Sequence, residues 1–286
     1  RPRGRGSVAS LRDMAPFSVS LMLTDLISTF YMKLPQFFLG KLYPTATLGA
    51  FDQAVKLKDM PVTAATQSVQ SVTFPALSEV RGDAPKFAES YRQVVLITAY
   101  VMFPAMLGLS AVAHDLFALL LSEKWMPTVP YFEVVCLAGL FYPVGMICYN
   151  VLKVMSRGPL IVRLEVVKKL LMTVVFAVTI PHSVMAVVWG LVVIAFGEMA
   201  VNFLATRRFT RFTTRRFLRT LLPVALVSGT MYLLVRLTAC AVPGHLLLRL
   251  AAQLLVGAAA YVGLSVLFRL EAFGLLCDLM KKQAAR

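Results

Sequence analysis

The chain has 286 residues, of which 58% are hydrophobic and 15% are charged, and its mean hydropathy is +0.75. Soluble globular domains are much more polar, so this composition indicates a membrane protein. The formal net charge of +15 would suggest a nucleic-acid partner in a soluble protein. Here the basic residues lie at the ends of apolar runs, which favours anionic headgroups and membrane topology, and no nucleic-acid partner is expected.

Eight runs predict transmembrane helices, because about 20 apolar residues are needed to cross a hydrocarbon core of about 30 Å. In chain order they cover approximately residues 14–40, 45–78, 91–112, 131–154, 159–181, 183–205, 217–240 and 246–269. The stretch 113–121 is too short to cross and is expected at the outer surface. The predicted fold class is therefore an all-α, polytopic membrane helix bundle of about eight transmembrane helices.

These spans divide the chain into five regions. They are a basic cytoplasmic linker at 1–13, a six-helix lobe at 14–205, a basic cytoplasmic loop at 206–216, two additional transmembrane helices at 217–270 and a cytoplasmic tail at 271–286. No cleavable signal peptide is visible and the chain begins with arginine, so we expect it to be part of a longer protein.

Basic residues cluster in every second gap between the apolar runs, as they do when basic loops stay in the cytoplasm. This alternation predicts an even number of spans with both ends cytoplasmic. The second run is rich in Thr, Ser and Gln, and hydropathy alone would reject it. If it did not cross, Arg81, Lys86 and Arg92 would lie outside and the alternation would fail.

The second span also carries an ordered polar stripe. At 100° per residue, eight polar side chains share an arc of roughly 120°. They are Asp52, Lys56, Asp59, Thr63, Thr66, Gln67, Gln70 and Thr73. Such a helix is expected to line water or a polar ligand inside a bundle, although an amphipathic helix on the membrane surface is the alternative. Asp52 and Lys56 also have the i,i+4 spacing of a helical ion pair.

The first span carries Asp25 and Lys33 inside its apolar run. Because buried charges cost on the order of 3 kcal/mol in a membrane helix, they usually face a cavity or a partner. We therefore predict an aqueous cavity between the first two spans, with Lys33 and Lys56 as cations that attract phosphate. Alternatively, Lys33 reaches the outer interface and Asp25 pairs with another helix.

Two further sets of charges are candidates for coupling or gating. Glu165, Lys168 and Lys169 are grouped near the start of the fifth span, where an interfacial ion-pair cluster is the favoured interpretation. Glu198 in the sixth span has Asn202 one turn away and no basic neighbour in sequence. A lone carboxylate in a span is a candidate for proton or cation coupling, with a hidden inter-helix partner as the alternative.

Catalytic and metal-binding patterns are absent from the sequence. The four cysteines and three histidines show no metal-ligand spacing, and we find neither a Gly-rich phosphate loop nor a nucleophilic triad. We therefore expect no cofactor and no enzymatic activity.

Several short motifs lie in a fixed order between residues 14 and 205. They include Phe37-Phe38-Leu39-Gly40, Leu48-Gly49-Ala50-Phe51, Val72-Thr73-Phe74-Pro75-Ala76-Leu77-Ser78, Ser122-Glu123-Lys124-Trp125 and Ser156-Arg157-Gly158-Pro159. In order and spacing, these motifs resemble those of the polysaccharide flippases of the MOP superfamily. The resemblance implies a protein of two six-helix lobes plus two extra helices. This chain would correspond to the second lobe of a MATE/MOP-type transporter together with the extra pair of helices. The N-terminal lobe would be missing.

The resemblance further implies alternating access around a central cavity in the bacterial inner membrane. The cargo would be an undecaprenyl-pyrophosphate-linked oligosaccharide, moved from the cytoplasmic to the outer leaflet. Expected partners are this substrate, membrane lipids, the missing lobe, and a polysaccharide polymerase or glycosyltransferases. Lys33 and Pro35 stand where the family often has a polar pair, so its ligand contacts are not transferred.

Three alternatives remain open at this point. The chain could be a multidrug or cation exporter of the same superfamily, although such cargo would favour a more acidic cavity. It could be a membrane-embedded glycosyltransferase or polymerase, although the outer loops are short. Finally, it could be an inactive, truncated lobe.

Overall fold

The computed structural model describes residues 29–31, 33–80, 82–155, 158–210, 212–242 and 245–284. Helix α1 includes residues 29–31 and 33–42. The following helices are α2 (Thr45–Glu79), α3 (Ala84–Leu120), a 3₁₀ helix (Glu123–Thr128), α4 (Val129–Val154), α5 (Gly158–Thr179), α6 (Val184–Thr210), α7 (Thr214–Ala241), α8 (Leu246–Leu267) and α9 (Glu271–Ala284). No strand occurs within these ranges, so the all-α prediction is confirmed.

Within the described ranges, five helical segments are long and apolar enough to cross a membrane. They are Ala84–Leu120, Glu123–Val154, Val184–Thr210, Thr214–Ala241 and Leu246–Leu267. Helix α5 is not among these five segments because its first half is charged, and α2 is not among them because it is rich in polar residues. The crossing of α1, α2 and α5, and with it the count of eight, stays a prediction.

Helix α3 is longer than the sequence suggested. The stretch 113–121 was expected to lie apart at the outer surface, but α3 continues without a break to Leu120. Residues 109–112, directly before it, contain neither proline nor glycine, and Ala113 and Phe117 are buried. The ring of Phe117 lies 5.2 Å from that of Phe132 in α4. Packing against α4 therefore extends the helix beyond the predicted span.

The predicted basic loop at 206–216 is mostly helical. Helix α6 continues to Thr210, whose buried hydroxyl oxygen accepts from the Phe212 amide just beyond the helix end at 3.3 Å. Helix α7 begins at Thr214, and the Thr213 side chain caps it by accepting from the Arg216 amide at 3.4 Å. Threonines thus end one helix and start the next, so the charged segment adds helical turns instead of forming a loop.

An aromatic cluster holds the junction between α6 and α7 together. Its members are Tyr91, Phe203, Phe212 and Phe217, all buried. The rings of Phe203 and Phe217 stack with centroids 4.1 Å apart, and the Phe212 ring packs edge-on against Tyr91 at 5.6 Å. Because the cluster joins α3, α6 and α7, it fixes the start of α7 on the six-helix lobe.

The predicted cytoplasmic tail also contains a helix, α9. A sharp turn precedes it, in which Arg269 adopts the left-handed conformation with φ 47°. The Leu270 amide donates to the Ser265 carbonyl at 2.9 Å, and the Arg269 amide donates to Val266 at 3.1 Å. These two bonds form a Schellman motif, which ends α8 and returns the chain toward α3.

Helix α4 is the centre of the lobe and packs against α2, α3 and α6. Its contact with α6 is especially close at Gly145, where an added Cβ atom would lie 3.2 Å from the Met199 Cα atom. The outer faces of α5, α7 and α8 instead expose large apolar side chains, including Val162, Leu226 and Leu255. Such surfaces suit contact with lipid.

Of the two additional helices, α8 is attached to α3 by polar contacts. Tyr100 donates to the Ser265 hydroxyl at 3.0 Å, and Tyr261 donates to the Tyr100 carbonyl at 2.6 Å. Near the other end of α3, the buried carboxylate of Asp115 binds the guanidinium of Arg249 through both oxygens. The pair thus forms part of the same packed bundle as the lobe.

Candidate functional site

The candidates predicted from the fifth and sixth spans come together in the structure. Glu165 and Lys168 form an ion pair, with 2.5 Å between Oε1 and Nζ. The Lys168 ammonium also lies 4.9 Å from the centroid of the Tyr149 ring on α4. Lys168 is buried, so its charge depends on these two contacts.

Glu198 of α6 belongs to the same group. It lies within electrostatic range of Lys168, Lys169 and Glu165, all carried by α5. The basic neighbour that the sequence could not show therefore comes from the adjacent helix. We call Tyr149, Glu165, Lys168, Lys169 and Glu198 the α4–α5–α6 charge cluster.

The charge cluster extends to the first helix through Lys169. Its ammonium lies 5.4 Å from the centroid of the Tyr31 ring on α1. Lys33, two residues further along α1, is exposed and has no ion pair among the residues the structure describes. Asp25, predicted in the same helix, lies outside the described residues.

The polar stripe of α2 does not stay together as one exposed surface. Thr66 and Thr73 are buried, and the Thr66 hydroxyl donates to the Val62 carbonyl at 2.6 Å. Lys56, Thr63 and Gln67 are exposed, while Asp52, Asp59 and Gln70 are partly buried. Helix α2 packs on α4 along one edge of the predicted arc, which removes the two threonines from the polar surface.

The ion pair between Asp52 and Lys56 that the spacing allowed does not form. Lys58 pairs with Asp59 instead. The Oδ1 atom of Asp52 is buried without a hydrogen-bond partner in the described part of the chain. A buried acceptor in this condition is costly and can receive a hydrogen bond from a ligand.

Two tyrosines of α4 connect these polar groups, and the sequence analysis missed both. Tyr142 lies within electrostatic range of Asp59 on α2 and of Glu198 on α6. Tyr149 follows seven residues later, so both side chains project from one face of α4. The i,i+7 spacing of two tyrosines could have indicated this face.

Together these side chains form a polar surface around α4, which we call the polar groove. Tyr142 and Tyr149 lie on α4, Asp59 lies on α2, and the charged residues lie on α5 and α6. The groove presents ammonium groups, carboxylates and hydroxyls close to one another, an arrangement suited to a polyhydroxylated, anionic ligand. No group of metal-ligating side chains occurs within the described ranges.

A family model described as "Polysaccharide biosynthesis protein" matches residues 1–130. An uncharacterized membrane protein in the cps region of Klebsiella pneumoniae is 24% identical over 209 residues, which are 72% of this chain and 42% of that protein. The lipopolysaccharide biosynthesis protein WzxC of Escherichia coli K12 is 25% identical over 51% of this chain and 30% of its own length. The teichuronic acid biosynthesis protein TuaB of Bacillus subtilis is 22% identical over 46% of this chain and 27% of its own length.

Among solved structures, the lipid II flippase MurJ in an inward closed conformation superposes with a TM-score of 0.71. The sequence identity is 14%, so the likeness shows the fold alone. The superposition covers 90% of this chain and 55% of MurJ. The chain thus spans about half of MurJ and less than half of each curated relative.

Proposed function

We propose that this chain, a member of the polysaccharide flippase family, forms the second lobe and the additional helix pair of a lipid-linked oligosaccharide transporter. The family model, the curated relatives and the fold support the family membership. They also support a multi-pass membrane protein. A longer protein would supply the first lobe, and a polysaccharide polymerase or glycosyltransferases would act beside it.

The cargo in this proposal is an oligosaccharide joined by pyrophosphate to a polyprenyl lipid, moved from the cytoplasmic to the outer leaflet of the inner membrane. Both ends of the chain would be cytoplasmic, as the alternation of basic clusters predicts. The proposal involves no catalytic step and no cofactor.

The polar groove on α4 is the observation that carries the proposal. Lys33 and Lys56 are exposed and free of ion pairs within the described ranges, so they are available to attract the pyrophosphate. Thr63 and Gln67 are exposed and offer hydroxyl and amide groups to the sugars. The polyprenyl chain would remain in the bilayer.

The charge cluster supplies a coupling element. Lys168 is held by Glu165, whereas Glu198 has no direct ion pair in the part of the chain that the structure describes. A cation or proton at Glu198 would change the charge balance around Lys168 and Lys169. In alternating access, such a change alters the contacts between two lobes that rock around a fixed site.

The test uses the complete protein in a strain that lacks its gene. We expect the double variant Lys33→Gln/Lys56→Gln to lower polysaccharide export about tenfold or more, because it removes both cations that attract the pyrophosphate. A tenfold loss corresponds to about 1.4 kcal/mol of interaction free energy. Lys41→Gln is the matched control, because Lys41 is exposed on α1 and has no ion pair within the described ranges. Full export by the double variant, at normal membrane levels, would remove the proposed cation role.

The coupling role is tested in the same strain. Glu198→Gln keeps the shape of the side chain but cannot hold a negative charge, and it should also reduce export about tenfold or more. Glu123→Gln, an exposed carboxylate in the 3₁₀ helix, should export normally. Equal export by the two variants would contradict a role for Glu198.

A further inference from the structure

A cavity of about 350 Å³ lies between α3, α7 and α9, on the side of the bundle away from α5. Its charged lining residues are Arg92, Arg216, Arg219 and Glu271. Helices α7 and α9 pack on α3, whereas α5 packs on α4 and α6. The polar groove and its charge cluster therefore take no part in this cavity.

The carboxylates near the cavity are already occupied by one arginine. Arg92 donates to Glu271 at 2.8 Å from Nη1 and to Glu89 at 2.6 Å from Nη2. Arg216 approaches Glu89 only at 3.8 Å and is more than half exposed. Arg219 has no acidic partner among the described residues. Both glutamates also interact electrostatically with Arg216, so the three arginines and two glutamates at the cavity together keep one net positive charge.

The remaining wall of the cavity is apolar. Leu96 of α3 and Val224 of α7 lie below the arginines, and Pro223 and Leu270 complete the wall. On the outer side of α7, Leu218 and Leu222 are each 57% exposed and suit contact with acyl chains. The cavity therefore opens where a charged surface meets an apolar one, as at a membrane interface.

We propose that this cavity binds the phosphate group of an anionic phospholipid. Arg216 and Arg219 lie one turn apart on α7 and offer fork-shaped donors that match phosphate oxygens. Thr220 lies on the same face, and the apolar wall accommodates the glycerol backbone and the first methylene groups. The volume is near the lower end of ligand-site volumes, which fits one headgroup better than a lipid-linked oligosaccharide.

The lipid would join α7 and α9 to α3 at the basic end of the bundle. It would act beside the ion pairs of Arg92, which already connect α3 with α9. This role is independent of cargo binding, so the polar groove can fail its own test while the lipid site stands.

The experiment measures lipid binding to the complete protein in detergent by native mass spectrometry. The probe is dioleoyl phosphatidylglycerol, with dioleoyl phosphatidylcholine, undecaprenyl pyrophosphate and inorganic phosphate as separate arms. Arg216→Gln/Arg219→Gln should weaken phosphatidylglycerol binding about tenfold or more, because each arginine near a membrane surface contributes on the order of a fivefold affinity gain. Arg207→Gln/Arg208→Gln is the matched control, since it removes the same charge from exposed positions at the end of α6.

Binding that is equal in the two double variants would overturn the proposal, and so would equal affinity for phosphatidylcholine in the unmodified protein. A loss confined to the undecaprenyl pyrophosphate arm would assign the cavity to cargo instead. Binding of inorganic phosphate as tight as that of the lipid would also contradict a lipid site. A thermal melt of each variant separates these outcomes from misfolding, and Arg216→Lys/Arg219→Lys should retain part of the binding.

Discussion

Replacing Asp115 by asparagine tests the attachment of α8 to the lobe. The carboxylate of Asp115 is 3% exposed and receives bonds from two nitrogens of Arg249, of which Nε lies 2.8 Å from Oδ2. Asp115→Asn preserves the shape of the side chain, but it removes the negative charge and turns an amide donor toward the guanidinium. The arginine is then left without its counter-charge.

The expected cost follows from the burial of both partners. Removing one member of a fully buried ion pair costs about 3–5 kcal/mol. The Arg249 side chain is 26% exposed, so water can solvate part of its charge once the carboxylate is gone. We therefore expect the variant to lose about 2–3 kcal/mol of unfolding free energy. Arg249→Met should cost more, because it leaves the buried carboxylate unpaired.

Equilibrium unfolding in mixed micelles of dodecyl sulfate and a mild detergent measures both variants. The double variant Asp115→Asn/Arg249→Met should recover at least about 1 kcal/mol relative to the sum of the single variants. Glu133→Gln is the control, because Glu133 pairs with an Arg236 side chain that is 45% exposed. It should cost no more than about 1 kcal/mol. The reasoning would be refuted if the free-energy costs of the two single variants added up to that of the double variant. It would also be refuted if Asp115→Asn lost no more unfolding free energy than the control.

Two further predictions concern helix packing and pH. Gly145→Ala should destabilise the protein by about 1–3 kcal/mol, because the new methyl group would lie 3.2 Å from the Met199 backbone. Gly229→Ala, which meets nothing within 4 Å, should leave the melting temperature unchanged or raised. The hydrogen bond from Arg92 lowers the pKa of Glu271 below its ordinary value of 4.5. The Arg92–Glu271 ion pair therefore contributes fully to the docking of α9 above pH 4.5, and this contribution is lost as the pH falls through the lowered pKa. Proteolysis of α9 should increase over that acidic window, and Glu271→Gln should remove the pH dependence; identical cleavage profiles would show that the pair does not hold α9.

The positions of the helices could be predicted well from the sequence, since apolar runs and turn residues mark them directly. The motifs also led to the family that the comparisons support. The helix ends were less predictable. Thr210 and Thr213 decide the length of α6 and α7 through hydrogen bonds that composition does not show. Residues 206–210 and 214–216 are therefore helical where a loop was expected, and the cytoplasmic position of this basic segment stays a prediction.

The candidate site was predictable only in part, because burial depends on the neighbouring helices. The stripe of α2 was correct as a periodicity, yet Thr66 and Thr73 are buried by packing against the rest of the bundle. Glu198 had no basic neighbour in sequence, but α5 places two lysines beside it. The pair of Asp115 and Arg249 joins residues 134 positions apart, and no local signal indicates such a contact.

The aromatic cluster at the start of α7 makes one native cysteine useful as a reporter. Because Phe203 of α6 and Phe217 of α7 stack, α7 should move together with α6 in the transport cycle proposed above. Cys240 is exposed near the C-terminal end of α7, whereas Cys136 and Cys148 are buried and protected from labelling reagents. With Cys277 replaced, a single spin label at Cys240 would report changes in the mobility and surroundings of this end of α7 without any engineered cysteine.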